Sequence, residues 1–164
     1  MSKQDMAAAQ VHAVDLLIEQ HDKALALLKR MEATEDGREK RRLAEEAFAA
    51  IEVHAKLEEE VFFPAMRRRT DSKELEKLLA ESLEEHHVAS VLVAELKPMS
   101  TTNARYEAKL KVLREAVKHH AEEQVEETFP DVRRELGEDG MTLGTKMMER
   151  TMELTPPEYR AKAA

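Results

Sequence analysis

The sequence predicts an all-α protein: an antiparallel up-down four-helix bundle with a short fifth helix at its C-terminus. Three observations carry this. First, the 164 residues include only four glycines and 4% aromatics, and Ala, Leu, Glu, Lys, Arg and Met dominate, which favours helix almost everywhere. Second, apolar residues recur at intervals of three and four, the helical period. Third, short polar breaks divide the chain into long helical runs, and short connections make successive helices antiparallel neighbours. The length fits a single domain, 1–164, able to bury a full core. The bundle is expected over about 5–136 and the C-terminal helical extension over about 140–155.

The first helix is expected from roughly Asp5 to Met31, with Val14, Leu17, Ile18, Leu25 and Leu28 inward, and Thr34-Glu35-Asp36-Gly37 breaks it. The second runs from about Glu39 to Arg69 through Leu43, Ala47, Ile51, Leu57 and Val61. Pro64 must kink or shorten it, because proline lacks the amide proton and clashes with the preceding turn. Thr70-Asp71-Ser72 offers N-caps for the third, which extends to about Lys97 before Pro98 and Ser100-Thr101-Thr102-Asn103. The fourth spans about Ala104 to Leu136 with Tyr106, Leu110, Leu113 and Val117, and Gly137 and Gly140 are expected to end it. A last helix over Thr142 to Leu154 precedes Pro156-Pro157. It is expected to cap one end of the bundle, and the alternative is a homodimer contact through Leu143, Met147 and Met148.

The net charge of −8, with no offsetting Lys/Arg block, argues against a nucleic-acid partner. The one basic cluster, Arg67-Arg68-Arg69, falls near a helix end, where cations offset the helix dipole. No cysteine is present, which excludes disulfides, thiolate metal sites and Cys nucleophiles. The segment MSKQDMAAAQ lacks the basic-then-apolar pattern of a secretory signal. No run of about 18 apolar residues exists to span a membrane, so a cytoplasmic location is expected.

The chemistry lies in a repeat. HAKLEEEVFFP (54–64) overlays HAEEQVEETFP (120–130) at an offset of 66, matching His54 with His120, Glu60 with Glu126, Phe63 with Phe129 and Pro64 with Pro130. Upstream, IEQHDKALALL (18–28) overlays LEEHHVASVLV (83–93) at an offset of 65, placing His21 on His86. Each half therefore reads as a helix with a single His, then a helix with His, acids and Phe-Pro. His21 lies 15 residues before a turn taken at 36, and His54 lies 18 after it. At 1.5 Å per residue that is a mismatch of roughly 4–5 Å, under one helical turn. The four histidines can therefore share one layer. His54 and Glu58, four apart, project from one face. Imidazoles and carboxylates gathered inside a bundle suit a metal pair, and burying them without a partner would be costly. A single His-x-x-x-Glu is common on surface helices; the matched pair of copies is what makes metal binding specific.

This order of single His, His-x-x-x-Glu, single His, then His with acids and Phe-Pro resembles the hemerythrin-like, HHE cation-binding, domain. The resemblance spans roughly residues 11–136. It implies an up-down four-helix bundle holding two non-haem iron ions, oxo- or hydroxo-bridged, with O2 or related small molecules as ligands. It implies His21, His54, Glu58, His86 and His120 as metal ligands. One position departs: where the family usually has a carboxylate four residues after its last His, this chain has Gln124. An amide cannot bridge two irons as a carboxylate does. Glu123 is the nearest substitute; otherwise solvent fills the gap, or the metal held by the fourth helix binds weakly. The repeat selects His86 over His87 and His120 over His119, since helix neighbours point about 100° apart. His12 has no repeat counterpart and reads as a surface or end-cap histidine. Phe62, Phe63 and Phe129 are placed either to wall off the metals from water or simply to pack the core. Tyr106 is about 21 Å along a helix from His120, too far for a ligand.

The leading functional expectation is a di-iron protein that binds or senses O2, NO or peroxide. A peroxide-decomposing, catalase-like enzyme would use the same metals, so enzymatic activity is left open. A metal-free helical interaction module would explain the helices but not the matched histidines.

Overall fold

In the computed structural model, residues 10–160 are described, and every regular element among them is helical. Helix α1 is Ala13–Ala33 and α2 is Gly37–Leu57. Helix α2 runs through a π-helical turn, Glu58–Phe62, into α3, Phe63–Arg69. Helix α4 is Lys73–Leu96 and α5 is Tyr106–Glu123. A second π-helical turn, Gln124–Thr128, joins α5 to α6, Phe129–Leu136. Helix α7, Asp139–Leu154, and a 3₁₀ turn, Pro157–Tyr159, follow. No helix among the described residues is long and apolar enough to cross a membrane.

The first helix starts later than its apolar pattern suggests. The expected residues 5–9 lie outside the described ones, and α1 begins at Ala13 because His12 caps it: His12 Nδ1 accepts from Val14 N–H at 3.2 Å. The end-cap reading of His12 therefore holds. Asp36 caps α2, its carboxylate accepting from the amides of Arg38 (2.8 Å) and Glu39 (3.2 Å). Ser72 caps α4 through Leu75 N–H. Each cap pairs amide protons that the helix itself leaves unbonded.

Neither proline ends its helix. An α-helical register would drive the Pro64 ring into the carbonyl one turn back. The chain instead inserts a π turn, in which Phe63 N–H reaches Glu58 C=O, five residues back. The second copy does the same before Pro130, with Phe129 N–H bonding Gln124 C=O. Proline then stands in the first turn of α3 and of α6, where no amide proton is needed. The expected kink at Pro64 is thus a wider turn that starts at Glu58, and at Gln124 in the repeat.

Gly137 ends α6 with φ +49°, a conformation that L side chains rarely adopt. Gly140, expected to help end that helix, lies instead inside α7, which starts at Asp139 rather than Thr142. The reason is close packing: a Cβ on Gly140 would overlap the His12 ring, and one on Gly144 would overlap the Val11 carbonyl oxygen. Helix α7 lies along α1 and α2 with Met147 fully buried and Leu143 and Met148 packed beside it.

Two apolar clusters fill the interior. One gathers Leu28, Met31, Leu43, Phe48, Val93, Leu96, Tyr106 and Leu110. The other gathers Leu17, Leu57, Phe62, Phe63, Met66, Leu79, Phe129, Val132 and Met147. On each of α1, α2 and α4 a histidine lies between residues of the two clusters, and His120 lies between Val117 of the first and Phe129 of the second, so a polar layer crosses an otherwise apolar core.

Candidate metal centre

Six polar side chains make this layer. Helix α1 contributes His21 and α2 contributes His54; Glu58 opens the first π turn; α4 contributes His86 and α5 contributes His120; Gln124 opens the second π turn. All six are at most 8% exposed, and Glu58 is fully buried. Neighbouring imidazole rings stand 4.5–6.1 Å apart between centroids. Glu58 Oε2 lies 2.9 Å from His86 Nε2 and 3.5 Å from both His54 Nε2 and His120 Nε2. His21 Nε2 meets His54 Nε2 at 3.1 Å. Every imidazole thus turns Nε2 inward.

The two residues that open the π turns meet: Gln124 Nε2 donates to Glu58 Oε1 at 2.7 Å. Gln124 therefore occupies the place beside the histidines that its spacing implies. Glu123 does not join them. Its carboxylate pairs with His119 at 3.0 Å, and with Glu85 these form a separate, outer group. Burial, then the neighbouring charges of Glu85 and Glu81, push the Glu123 carboxyl up. His87 and His119 are both exposed.

Three supporting partners escaped the sequence reading. His54 Nδ1 meets Gln20 Oε1 at 3.0 Å, His86 Nδ1 meets Glu59 Oε1 at 2.8 Å, and His120 Nδ1 meets Glu85 Oε2 at 2.7 Å. An acceptor on one ring nitrogen holds the proton there and aims the lone pair of the other inward. A signal for two of them was present: Gln20 and Glu85 match at the offset of 65, each directly before its single histidine. The aromatic rings close one side. Phe63 stacks on His86 at 5.8 Å, Phe129 stacks on His21 at 6.2 Å, and Phe62 packs against both phenylalanines.

Burial dominates the electrostatics. It pushes the His21 imidazolium down to about 4, against the pull of Glu58, and His54 well below its ordinary value. Both rings are neutral at pH 7, as metal ligation requires. Burial alone would raise Glu58, but His54, His120 and His86 together hold its carboxyl well below the usual range. Burial opposes the charge on His120 too, but the adjacent carboxylates of Glu58 and Glu85 lift it to about 9.

These residues fit a metal ion. Glu58 Oε2, His86 Nε2, His120 Nε2 and Gln124 Oε1 are buried without a hydrogen-bond partner, their close approaches lacking the required angles. Each such atom costs about 1–3 kcal/mol. The donor atoms of His21, His54, Glu58 and His120 lie within 4.8 Å of one another. Imidazole nitrogens around one carboxylate suit iron, manganese or zinc. A cavity of about 560 Å³ reaches the layer, bordered by Gln20, His21, Ile51, Glu59, Val93 and Val117 among others. Small molecules therefore have a route to the histidines, away from the phenylalanines.

Compared with known proteins, residues 12–132 match the model of one family, the hemerythrin HHE cation binding domain. No curated protein and no solved structure matches the chain.

Proposed function

We propose a non-haem iron centre for this chain, which belongs to the hemerythrin HHE cation-binding domain family. The chain acts as one domain, an up-down-up-down bundle whose interior holds the metal and whose cavity admits O2, NO or peroxide. Support for the topology comes from α1 packing along α2 and α4 along α5 across short connections.

The single observation that carries the proposal is the convergence of three Nε2 atoms on the fully buried Glu58, with His21 Nε2 beside that of His54. His21, His54, His86, Glu58 and His120 would hold iron, and Gln124 would contribute its amide oxygen in place of a second carboxylate. Iron supplies reversible one-electron chemistry and open positions for a small ligand. The chain's own residues do the rest. Gln20, Glu59 and Glu85 orient imidazoles, Phe63 and Phe129 stack on two of them, and the phenylalanine side excludes water. A single central carboxylate favours uneven occupancy, with the ion beside Gln124 held more weakly.

Metal content per chain after growth with iron tests this, read with the visible spectrum after reduction and after exposure to air. Two irons with an oxygen-dependent charge-transfer band support the proposal in full. One iron supports the centre and places the deficit at Gln124. Absence of any bound metal overturns it and returns the chain to a helical interaction module. Turnover of hydrogen peroxide well above that of free iron would assign the catalase-like activity instead.

A further inference from the structure

The two halves of the centre are related by the repeat, and the relation holds in space. Phe63 stacks on His86 with 15° between planes, and its counterpart Phe129 stacks on His21 with 11°. Gln20 supports His54, and its counterpart Glu85 supports His120. One support has no counterpart. Glu59, second residue of the first π turn, supports His86. The second residue of the other π turn is Val125. The Glu59 side chain is 42% exposed and Val125 is 46% exposed, so both sit at the rim of the site. A valine accepts no hydrogen bond, and His21 Nδ1, on a residue only 3% exposed, has no partner among the described residues.

The tautomers follow from these contacts. Gln20 Nε2 donates to the Thr151 hydroxyl oxygen at 3.1 Å, and that hydroxyl donates to Met147 C=O. The amide is thereby oriented with Oε1 toward His54, so His54 Nδ1 carries the proton. His54 Nε2 is then a bare lone pair. His21 Nε2, 3.1 Å away, must be the donor of that bond. His21 therefore holds the tautomer opposite to His54, with its lone pair on the unpartnered Nδ1.

We infer that His21 is the labile ligand of the centre, and that position 125 sets how firmly it binds. This rests on the metal-binding reading above. To ligate through Nε2, His21 must move its proton to Nδ1, where Val125 stands in the place of an acceptor. The other three imidazoles already have Nδ1 anchored and Nε2 turned toward the centre. His21 borders the cavity, as His54, His86 and His120 do, so release of this ring would open a coordination position that a small molecule can reach. Gln20, Glu59 and Glu85 are positioning residues, and Val125 marks a missing one.

The test uses cobalt(II)-loaded protein, whose ring N–H protons give shifted proton NMR resonances. The wild type should show three slowly exchanging Nδ1–H resonances, and Val125→Glu should add a fourth. Val125→Glu should also slow metal release to a chelator by about 10–100-fold, the usual weight of an outer-shell partner. The reciprocal variant Glu59→Val should remove one slow resonance and speed release by a similar factor, which keeps the inference testable if Val125→Glu folds poorly. Four protected resonances in the wild type would overturn the inference while leaving the metal centre intact. So would Val125→Glu and Glu59→Val spectra with unchanged counts. Failure to bind cobalt or iron at all would overturn the metal centre itself, and this inference with it.

Discussion

Restoring the family's second carboxylate, Gln124→Glu, should weaken the metal-free protein and strengthen metal binding. Gln124 and Glu58 are at most 1% exposed, and the amide donates to the Glu58 carboxylate at 2.7 Å. A glutamate at 124 can donate there only when protonated. Holding a carboxyl with an ordinary pKa near 4.3 protonated at pH 7 costs up to about 3.7 kcal/mol, at 1.36 kcal/mol per unit. The variant's folded pKa is raised, so its stability deficit is absent below about pH 4.3 and grows as pH rises. With a urea m-value of about 2 kcal/mol/M, the midpoint at pH 7 falls by nearly 2 M. Urea unfolding of chelator-treated wild type and variant at pH 5 and pH 7 measures this. Adding iron should close or reverse the gap, because the metal neutralises the paired carboxylates, and iron per chain should rise. Equal midpoints at pH 7, or a deficit independent of pH, would show that the two side chains are not forced together as the structure has them.

Three further outcomes follow from the same geometry. His54→Ala removes a ring that borders both His21 and Glu58; iron per chain should drop by at least half, and unchanged content would detach the cluster from metal binding. The metal-free protein should be most stable near pH 6.5. His21, lowered to about 4, takes up a proton in the unfolded chain first, so stability falls on acidification, while His120, raised to about 9, loses its stabilising effect as pH rises to that value. Each arm is worth roughly 3 kcal/mol, and a flat profile of urea midpoints from pH 5 to 9 would contradict the assignment. Gly144→Ala sets a Cβ against the Val11 backbone and should cost about 1–3 kcal/mol. Gly140→Ala meets the His12 side chain rather than backbone, and should cost less in thermal unfolding.

Much of this molecule is legible in the chain. Helix content, breaks at 34–36 and 70–72, and the caps Asp36 and Ser72 follow from composition and local hydrogen bonding. The repeat singled out His21, His54, His86 and His120, and one-turn spacing added Glu58. These are local properties, carried by residues a few positions apart. At Pro64 the α-helical rule implies a kink or a shortened helix, because it says nothing of a register that bonds five residues back. Gly140 looks like a stop along the chain, because its real reason, the ring of His12, is distant in sequence.

Other features exist only where helices meet. That Gln124 faces Glu58 while Glu123 turns to His119 depends on the exact rotation of α5 and its π turn. The acceptors Gln20, Glu59 and Glu85 act on histidines 27 to 35 residues away. Val125 is an unremarkable valine until the stacked Phe129 and His21 show which ring it fails to support. Periodicity and residue chemistry are written locally, so the helices, the repeat and the kinds of donor can be read along the chain. Which nitrogen faces inward and which lacks a partner emerges on folding, because hydrogen-bond direction is fixed by atoms that the chain brings together from opposite ends of the repeat.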